Sequence, residues 1–173
     1  MIIAETTPTS LSGSPAFFPV SITKLVAMSV CTFGLYQVYW FYRNWHYVKH
    51  REHSRISPPW RSVLGVFFCY PLLHRIAATA RENGVAAPPA IIAVAWIVTG
   101  LMSYLPEPYL LLSFGAVVFL VPVQRAANAI NAGLAPAHDR NVGFSGWNIA
   151  ALVFGGSLFA LSAIGVLIGS QQR

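Results

Sequence analysis

Three histidines close together in the sequence are the side chains best placed to do chemistry. They stand at positions 46, 50 and 53, with Glu52 beside the last of them. In a helix, spacings of four and three residues bring side chains onto one face, so three imidazoles could approach one cation. Imidazole ligands suit zinc, nickel or copper. This pattern makes His46, His50 and His53 candidate ligands of a metal-dependent membrane enzyme.

The charge around these histidines argues against a metal. Lys49 falls on the same helical face, and three arginines surround the segment, Arg43, Arg51 and Arg55. A divalent cation would be repelled there unless further ligands arrived. We therefore expect a solvated amphipathic helix at the lipid headgroups, with no bound metal and no cofactor.

The same segment has the composition of a lipid-contacting surface, because five Lys and Arg between residues 43 and 61 alternate with aromatic side chains. Each such charge contributes about 1 kcal/mol at an anionic bilayer surface. A basic patch this short, next to a bilayer, meets phospholipid before nucleic acid. We predict contact with anionic headgroups and no nucleic-acid partner. The candidate lipid-contacting residues are Arg43, Trp45, Lys49, Arg51, Arg55, Trp60 and Arg61.

Patterns typical of catalysis are missing elsewhere in the sequence. There is no G-x-S-x-G, H-E-x-x-H, Walker loop or G-x-G-x-x-G, and Cys31 and Cys69 show no metal or redox spacing. Amide side chains do lie in or beside apolar stretches, where unpaired amides cost free energy. We expect these amides to hydrogen-bond between helices: Gln37, Gln124, Asn128, Asn131 and Asn148.

Composition indicates that the elements positioning these residues lie in a membrane. Of the 173 residues, 55% are hydrophobic and 9% are charged, with a mean hydropathy of +0.58, whereas soluble domains carry about 25% charged residues. Eleven Lys and Arg against five Asp and Glu give a net charge of +6. The charges fall in short runs between long uncharged stretches, as in loops that alternate with membrane spans.

Four of these stretches approach the length of about 20 residues that a helix needs to cross a bilayer. We predict an all-α, polytopic integral membrane protein, with a flexible polar tail over residues 1–18 and one helical membrane domain over residues 19–173. The predicted transmembrane helices cover residues 20–42, 90–105, 109–124 and 147–170.

A fifth apolar stretch, at about residues 58–82, is too short to cross straight. It has twelve uncharged residues between Arg61 and His74, and Pro71 interrupts them. We predict a short interfacial or re-entrant helix, with a tilted span as the alternative. If it is re-entrant, nine of the eleven basic residues share one side, and Lys24 and Arg173 lie on the other. The positive-inside rule then places the basic loops in the cytoplasm and both termini outside.

Small residues four apart in the last predicted span indicate close helix packing, because they let two backbones approach. This packing could occur within the bundle or between copies in a homo-oligomer. The candidate packing residues are Gly156, Ala160, Gly165 and Gly169.

The run TFGLYQVYWFYR at residues 32–43 resembles a motif of small bacterial multi-span membrane domains of unknown function. That motif reads T-x-G-[IL]-Y-x-[IV]-Y-W-[FL]-Y followed by a basic residue. Residues 71–72, 121–125 and 147–148 are similar to later elements of longer members. The resemblance implies a multi-pass protein of the bacterial cytoplasmic membrane. It implies no activity, cofactor or catalytic residue.

Three functions remain open from the sequence. We expect a non-enzymatic accessory subunit or scaffold that binds a membrane-protein partner or a second copy of itself. The alternative is a small-solute transporter or channel, because apolar stretches ending at Arg43, Arg75 and Arg125 form a weak internal repeat. The second alternative is the metal-dependent membrane enzyme.

Overall fold

The computed structural model describes residues 13–106 and 109–171, and all regular secondary structure in these ranges is helical. The predicted all-α class is confirmed. Short 3-10 turns at Met102–Tyr104 and Phe114–Ala116 continue α5 and precede α7. The helices are α1 (Ile22–Cys31), α2 (Leu35–Arg51), α3 (Pro58–Val63), α4 (Gly65–Glu82), α5 (Ile91–Leu101), α6 (Tyr109–Ser113), α7 (Val117–Leu134) and α8 (Gly146–Gln171).

The stretch predicted as the first span, residues 20–42, is two helices and not one. α1 ends at Cys31, and Phe33 and Gly34 then adopt positive φ angles of 52° and 85°. A left-handed residue ends a helix and reverses the chain, and glycine adopts that conformation without a steric penalty. α1 and α2 therefore form a hairpin. Ten residues of α1 rise about 15 Å, half of a bilayer core of about 30 Å.

The motif at residues 32–43 builds this hairpin. The Thr32 hydroxyl donates to the Met28 carbonyl oxygen at 2.6 Å and accepts from the Tyr36 N–H at 2.9 Å, so it links the two helices. Gly34 supplies the turn, and Trp40 is completely buried. The residue types of the motif thus have a structural explanation within this chain.

The C-terminal end of the predicted tail belongs to the core. Ala16, Phe17 and Phe18 are buried, and they continue into an extended segment that reaches α1. Two phenylalanines without a neighbouring charge favour burial over solvent. Residues 1–12 of the predicted tail lie outside the described part of the chain.

The short apolar stretch at residues 58–82 is helical but divided. The break falls at Leu64 between α3 and α4, whereas Pro71 is accommodated inside α4. Arg61 before the break and Phe68 after it both lie against Trp45, at 4.5 Å and 6.5 Å between group centres. α4 runs beside α2 in the same direction, because Gly65 lies next to Phe41 and Arg75 pairs with Glu52. Since α3 leads back from the end of α2, the chain reverses at Leu64, and α3 and α4 form a second hairpin.

Charged side chains of the described residues gather at one end of the bundle. This basic end includes the first turn of α1 and the whole of α3. It also includes the parts of α2, α4 and α7 that follow residues 42, 73 and 123, and the loops that join these elements. Long-range contacts hold these parts together, such as Arg75 with Glu52 and Phe17 with Asn131. The buried core lies between the helices.

The opposite end carries no charged side chain among the described residues, and we call it the uncharged end. It contains the α1–α2 turn, residues 99–106 and 109–118, and α8 from Gly155 onward. These parts contact one another, since the Phe33 ring centroid lies 5.3 Å from that of Phe114 and 6.5 Å from that of Phe159. Large apolar side chains face outward at this end. They include Leu35, Leu101, Leu112, Val118, Leu158 and Leu161.

One helical stretch in the described chain, Phe114–Leu134, is long and apolar enough to cross a membrane by length and composition. It includes most of the stretch predicted as the third span. Shorter apolar helical stretches occur at Ile22–Cys31, Ile91–Tyr104 and Gly146–Ser162. The all-helical architecture with a span-length helix is thus confirmed.

Candidate functional site

Side-chain amides from three parts of the chain bind the irregular segment 15–20. The Asn131 side chain accepts from the Phe17 N–H at 3.1 Å and donates to the Phe17 carbonyl oxygen at 2.9 Å. Asn44 accepts from the Phe18 N–H at 3.2 Å, and Gln124 donates to the Phe18 carbonyl oxygen at 3.0 Å. We call this set the amide clamp: Asn44, Gln124, Asn128, Asn131 and Asn141.

The amide clamp explains why an irregular segment can be buried at the basic end. Asn128 donates to the Val20 carbonyl oxygen at 2.9 Å and Asn141 to that of Pro19 at 3.1 Å. The Trp40 indole N–H donates to the Gln124 amide oxygen at 2.5 Å and fixes its orientation. Buried backbone groups need such partners. Of the amides expected to hydrogen-bond between helices, Gln124 accepts from Trp40 of α2, and Gln37 of α2 accepts from Trp96 of α5. Asn128 and Asn131 bind the N-terminal segment instead.

An apolar cavity of about 600 Å³ opens at the uncharged end, between α2, the α3–α4 hairpin and α5. This volume falls within the range of about 300–1,000 Å³ found for ligand pockets. Near its base the Trp96 indole N–H donates to the Gln37 amide oxygen at 2.6 Å, and the Trp96 ring lies 4.9 Å from that of Phe41. The apolar lining includes Phe33, Leu35, Val38, Val63, Val66, Ile97, Leu101 and Phe114.

Three of the polar side chains that line the cavity are bonded within the chain. Ser62 donates to the Pro59 carbonyl oxygen at 2.7 Å, and Ser103 donates to that of Gly100 at 2.8 Å. Gln37 is occupied by Trp96. Since apolar side chains form most of the lining, the cavity favours an apolar occupant over ordered water.

Trp45, predicted to contact lipid, is completely buried instead. Its ring lies between two guanidinium groups, 4.5 Å from that of Arg61 and 5.5 Å from that of Arg75. Arg75 also pairs with Glu52 at 3.0 Å. Because cation–π contacts favour a cation over the face of an indole ring, Trp45 joins α2 to the α3–α4 hairpin. The lipid-contact prediction for Trp45 is therefore wrong.

The other predicted lipid-contacting residues remain near the surface. Arg43 lies over the Phe18 ring at 5.0 Å, and Arg51 lies over the Phe17 ring at 4.6 Å, so both also cover the N-terminal segment. Lys49 and Arg61 are partly exposed, and Arg55 and Trp60 are exposed. Their contact with headgroups stays a prediction.

The three predicted metal ligands are not brought together. His46 and His50 lie on one face of α2, with their Nε2 atoms 3.2 Å apart. His53 follows the end of α2 and has a φ of 46°, which takes it away from that face. The described residues contain no group of three or more His, Cys, Asp or Glu side chains that could hold a metal ion. The pKa of His46 is lowered, first by burial and then by its electrostatic interactions with His50, Arg43 and Lys49.

Gly155 makes the closest approach between α8 and α1, and sequence reasoning missed it. A Cβ at Gly155 would collide with the carbonyl oxygen of Cys31, whereas one at Gly156 would only touch the Cys31 sulfur. Ala160 is exposed, and Gly165 has open space around it. The packing position is therefore Gly155, one residue before the predicted Gly156. The surroundings of Gly169 lie outside what the structure describes.

Comparison with known proteins finds no relative of this chain. No protein-family model, curated protein or solved structure matches the chain. The interpretation of its function therefore rests on the cavity, the amide clamp and the separation of charge between the two ends.

Proposed function

We propose that this chain is a non-enzymatic integral membrane protein that holds the acyl chain of a membrane lipid in its apolar cavity. One observation carries the proposal: the cavity of about 600 Å³ lies at the uncharged end, and its lining is mostly apolar. A lipid tail is the apolar ligand present at high concentration beside that end. The protein then serves as an accessory subunit or scaffold of the bacterial cytoplasmic membrane.

The distribution of charge supports a definite orientation in the bilayer. Ten of the eleven Lys and Arg are described, and all ten belong to the basic end. Lys24, expected on the outer side, hydrogen-bonds to Asn141 and Gly143 in the loop that carries Arg140. We therefore place the basic end and the N-terminal segment in the cytoplasm, in place of the predicted arrangement with both termini outside.

This orientation changes the predicted number of crossings. α5, the α6–α7 stretch and α8 each connect the two ends, so they are the three proposed crossings. The α1–α2 hairpin enters from the basic end and returns to it, and the α3–α4 hairpin does the same to a smaller depth. Backbone at membrane depth is tolerated in such hairpins because the surrounding helices bury it.

Transport receives less support from the geometry. The described part of the uncharged end contains no charged side chain, and intramembrane charges mark most ion and proton pathways. Three of the polar side chains at the cavity, Gln37, Ser62 and Ser103, are bonded within the chain. A solute path would need such groups to be free to bind the solute.

Filling the cavity tests the proposal. Gly100 lines it, and a Cβ there meets no atom within 4 Å. Gly100→Leu is expected to lower lipid retention about tenfold, because the new side chain displaces about two methylenes of the tail, each contributing about 0.8 kcal/mol. The measurement is native mass spectrometry of protein released from lipid nanodiscs, which counts the lipids bound to each chain.

Gly133→Leu is the matched control, because Gly133 also has open space around it, and neither Gly133 nor its neighbours along the chain line the cavity. It is expected to retain lipid as the unaltered protein does. An unaltered protein that retains no lipid, or equal retention in both variants, would contradict the proposal.

A further inference from the structure

Lys24 is a buried cation without a buried counter-ion. Its side chain is 5% exposed, and its ammonium donates to the Asn141 side-chain oxygen at 2.8 Å and to the Gly143 carbonyl oxygen at 2.6 Å. Both acceptors are neutral. Among the described residues the one ion pair joins Arg75 and Glu52. Lysine is almost never fully buried unless it is paired, because an uncompensated charge costs free energy away from water.

A third neutral acceptor, Asn148, lies near this ammonium. When the Asn148 amide oxygen faces the donors around it, it accepts from Lys24 Nζ at 3.1 Å and from the Ser145 N–H at 3.3 Å. The Asn148 NH₂ group is then turned away from both. The nearby Asp139 carboxylate accepts from the Asn141 backbone N–H at 2.8 Å and forms no ion pair with Lys24.

A cavity of about 460 Å³ lies beside Lys24 and is separate from the apolar cavity. Two tyrosines line it. Tyr39 has its hydroxyl 3.4 Å from the guanidinium of Arg43, and the hydroxyl of Tyr36 makes no hydrogen bond within the described chain. Lys24 and Tyr36 thus offer a positive charge and a hydrogen-bond donor to one space.

We propose that this Lys24 cavity binds the phosphate group of an anionic phospholipid. A phosphate places a negative charge beside Lys24, which forms no ion pair among the described residues, and one of its oxygens accepts a hydrogen bond from Tyr36. Trp147, in the first turn of α8, is 88% exposed, as expected for an aromatic residue at a membrane interface. The cavity therefore lies at headgroup depth, which rests on the orientation given under the proposed function.

Removal of the ammonium tests this site. Lys24→Met keeps the length of the side chain and deletes its charge, and Tyr36→Phe deletes one donor. Titration calorimetry of detergent-solubilised protein with dihexanoyl phosphatidylglycerol is expected to show one site, which Lys24→Met weakens about tenfold or more and Tyr36→Phe several-fold. Arg81→Met is the control, because Arg81 is exposed at the end of α4, and its replacement removes one positive charge outside the cavity.

A second titration, with inorganic phosphate, distinguishes the sources of the anion. Binding of the lipid that phosphate does not displace assigns the site to a phospholipid. Displacement by phosphate supports a phosphate site that does not require the lipid tail and overturns the assignment to lipid. An equal loss in Lys24→Met and Arg81→Met, or no binding by the unaltered protein, overturns the site itself.

The result of these titrations is independent of the result of the Gly100→Leu experiment. Loss of the Lys24 site with lipid retention intact in the nanodisc assay leaves the proposed function standing. Failure of Gly100→Leu to alter retention, with Lys24-dependent phosphate binding present, removes the acyl-chain proposal and keeps this one.

Discussion

Asn131→Leu is expected to lower the free energy of unfolding by about 2–5 kcal/mol. The substitution deletes both hydrogen bonds to Phe17 and leaves its buried N–H and carbonyl oxygen without a partner. Each unsatisfied buried group costs about 1–3 kcal/mol. Leucine has nearly the same shape as asparagine, so the loss reports hydrogen bonding and not a cavity. Denaturant unfolding in detergent micelles, followed by tryptophan fluorescence, measures it.

Ala129→Leu provides the control on the same helix. Ala129 is exposed, so a larger side chain there is expected to change stability by less than about 0.5 kcal/mol. If the two variants unfold at the same denaturant concentration, the amide clamp does not hold the N-terminal segment in the way described.

Gly155→Leu is expected to separate α8 from α1. A side chain at Gly155 has no room beside the Cys31 carbonyl oxygen, and forced overpacking costs about 1–3 kcal/mol or more. Cys31 is half-buried beneath this contact, so its thiol becomes more accessible when the helices part. The measurement combines unfolding in detergent with the rate at which a membrane-permeant maleimide labels Cys31.

Gly165→Leu adds the same side chain to the same helix where nothing lies within 4 Å. It is expected to leave both the stability and the Cys31 labelling rate unchanged. A loss shared by both variants would indicate a general effect on α8, and it would count against Gly155 as the packing position.

The helical class could be predicted because it depends on local patterns. Long uncharged stretches define most of the helices, and α8 falls within a residue or two of its predicted bounds. The α1–α2 turn was missed because the run from Leu25 onward carries no charge, which hides a break in the helix. Gly34 was the signal, since its φ of 85° suits glycine and ends the helix there.

The sites could be predicted less well, because their contacts are distant in sequence. Asn131 binds Phe17 across 114 positions, and no local pattern in one sequence reports such a pairing. Trp45 looked like an interfacial residue from its basic neighbours, but those same arginines cover its ring. Gly155 and Gly156 are adjacent, so spacing alone did not decide which one faces α1.

The central claim is that the uncharged end lies in hydrocarbon and the basic end in water. Spin labels at cysteines replacing Leu158 and Arg81 test it directly, in protein with Cys31 and Cys69 replaced by serine and reconstituted in phosphatidylglycerol-containing vesicles. The label at residue 158 is expected to be relaxed by oxygen and the label at residue 81 by a water-soluble nickel chelate. Strong relaxation of the residue 158 label by the nickel chelate would contradict the account.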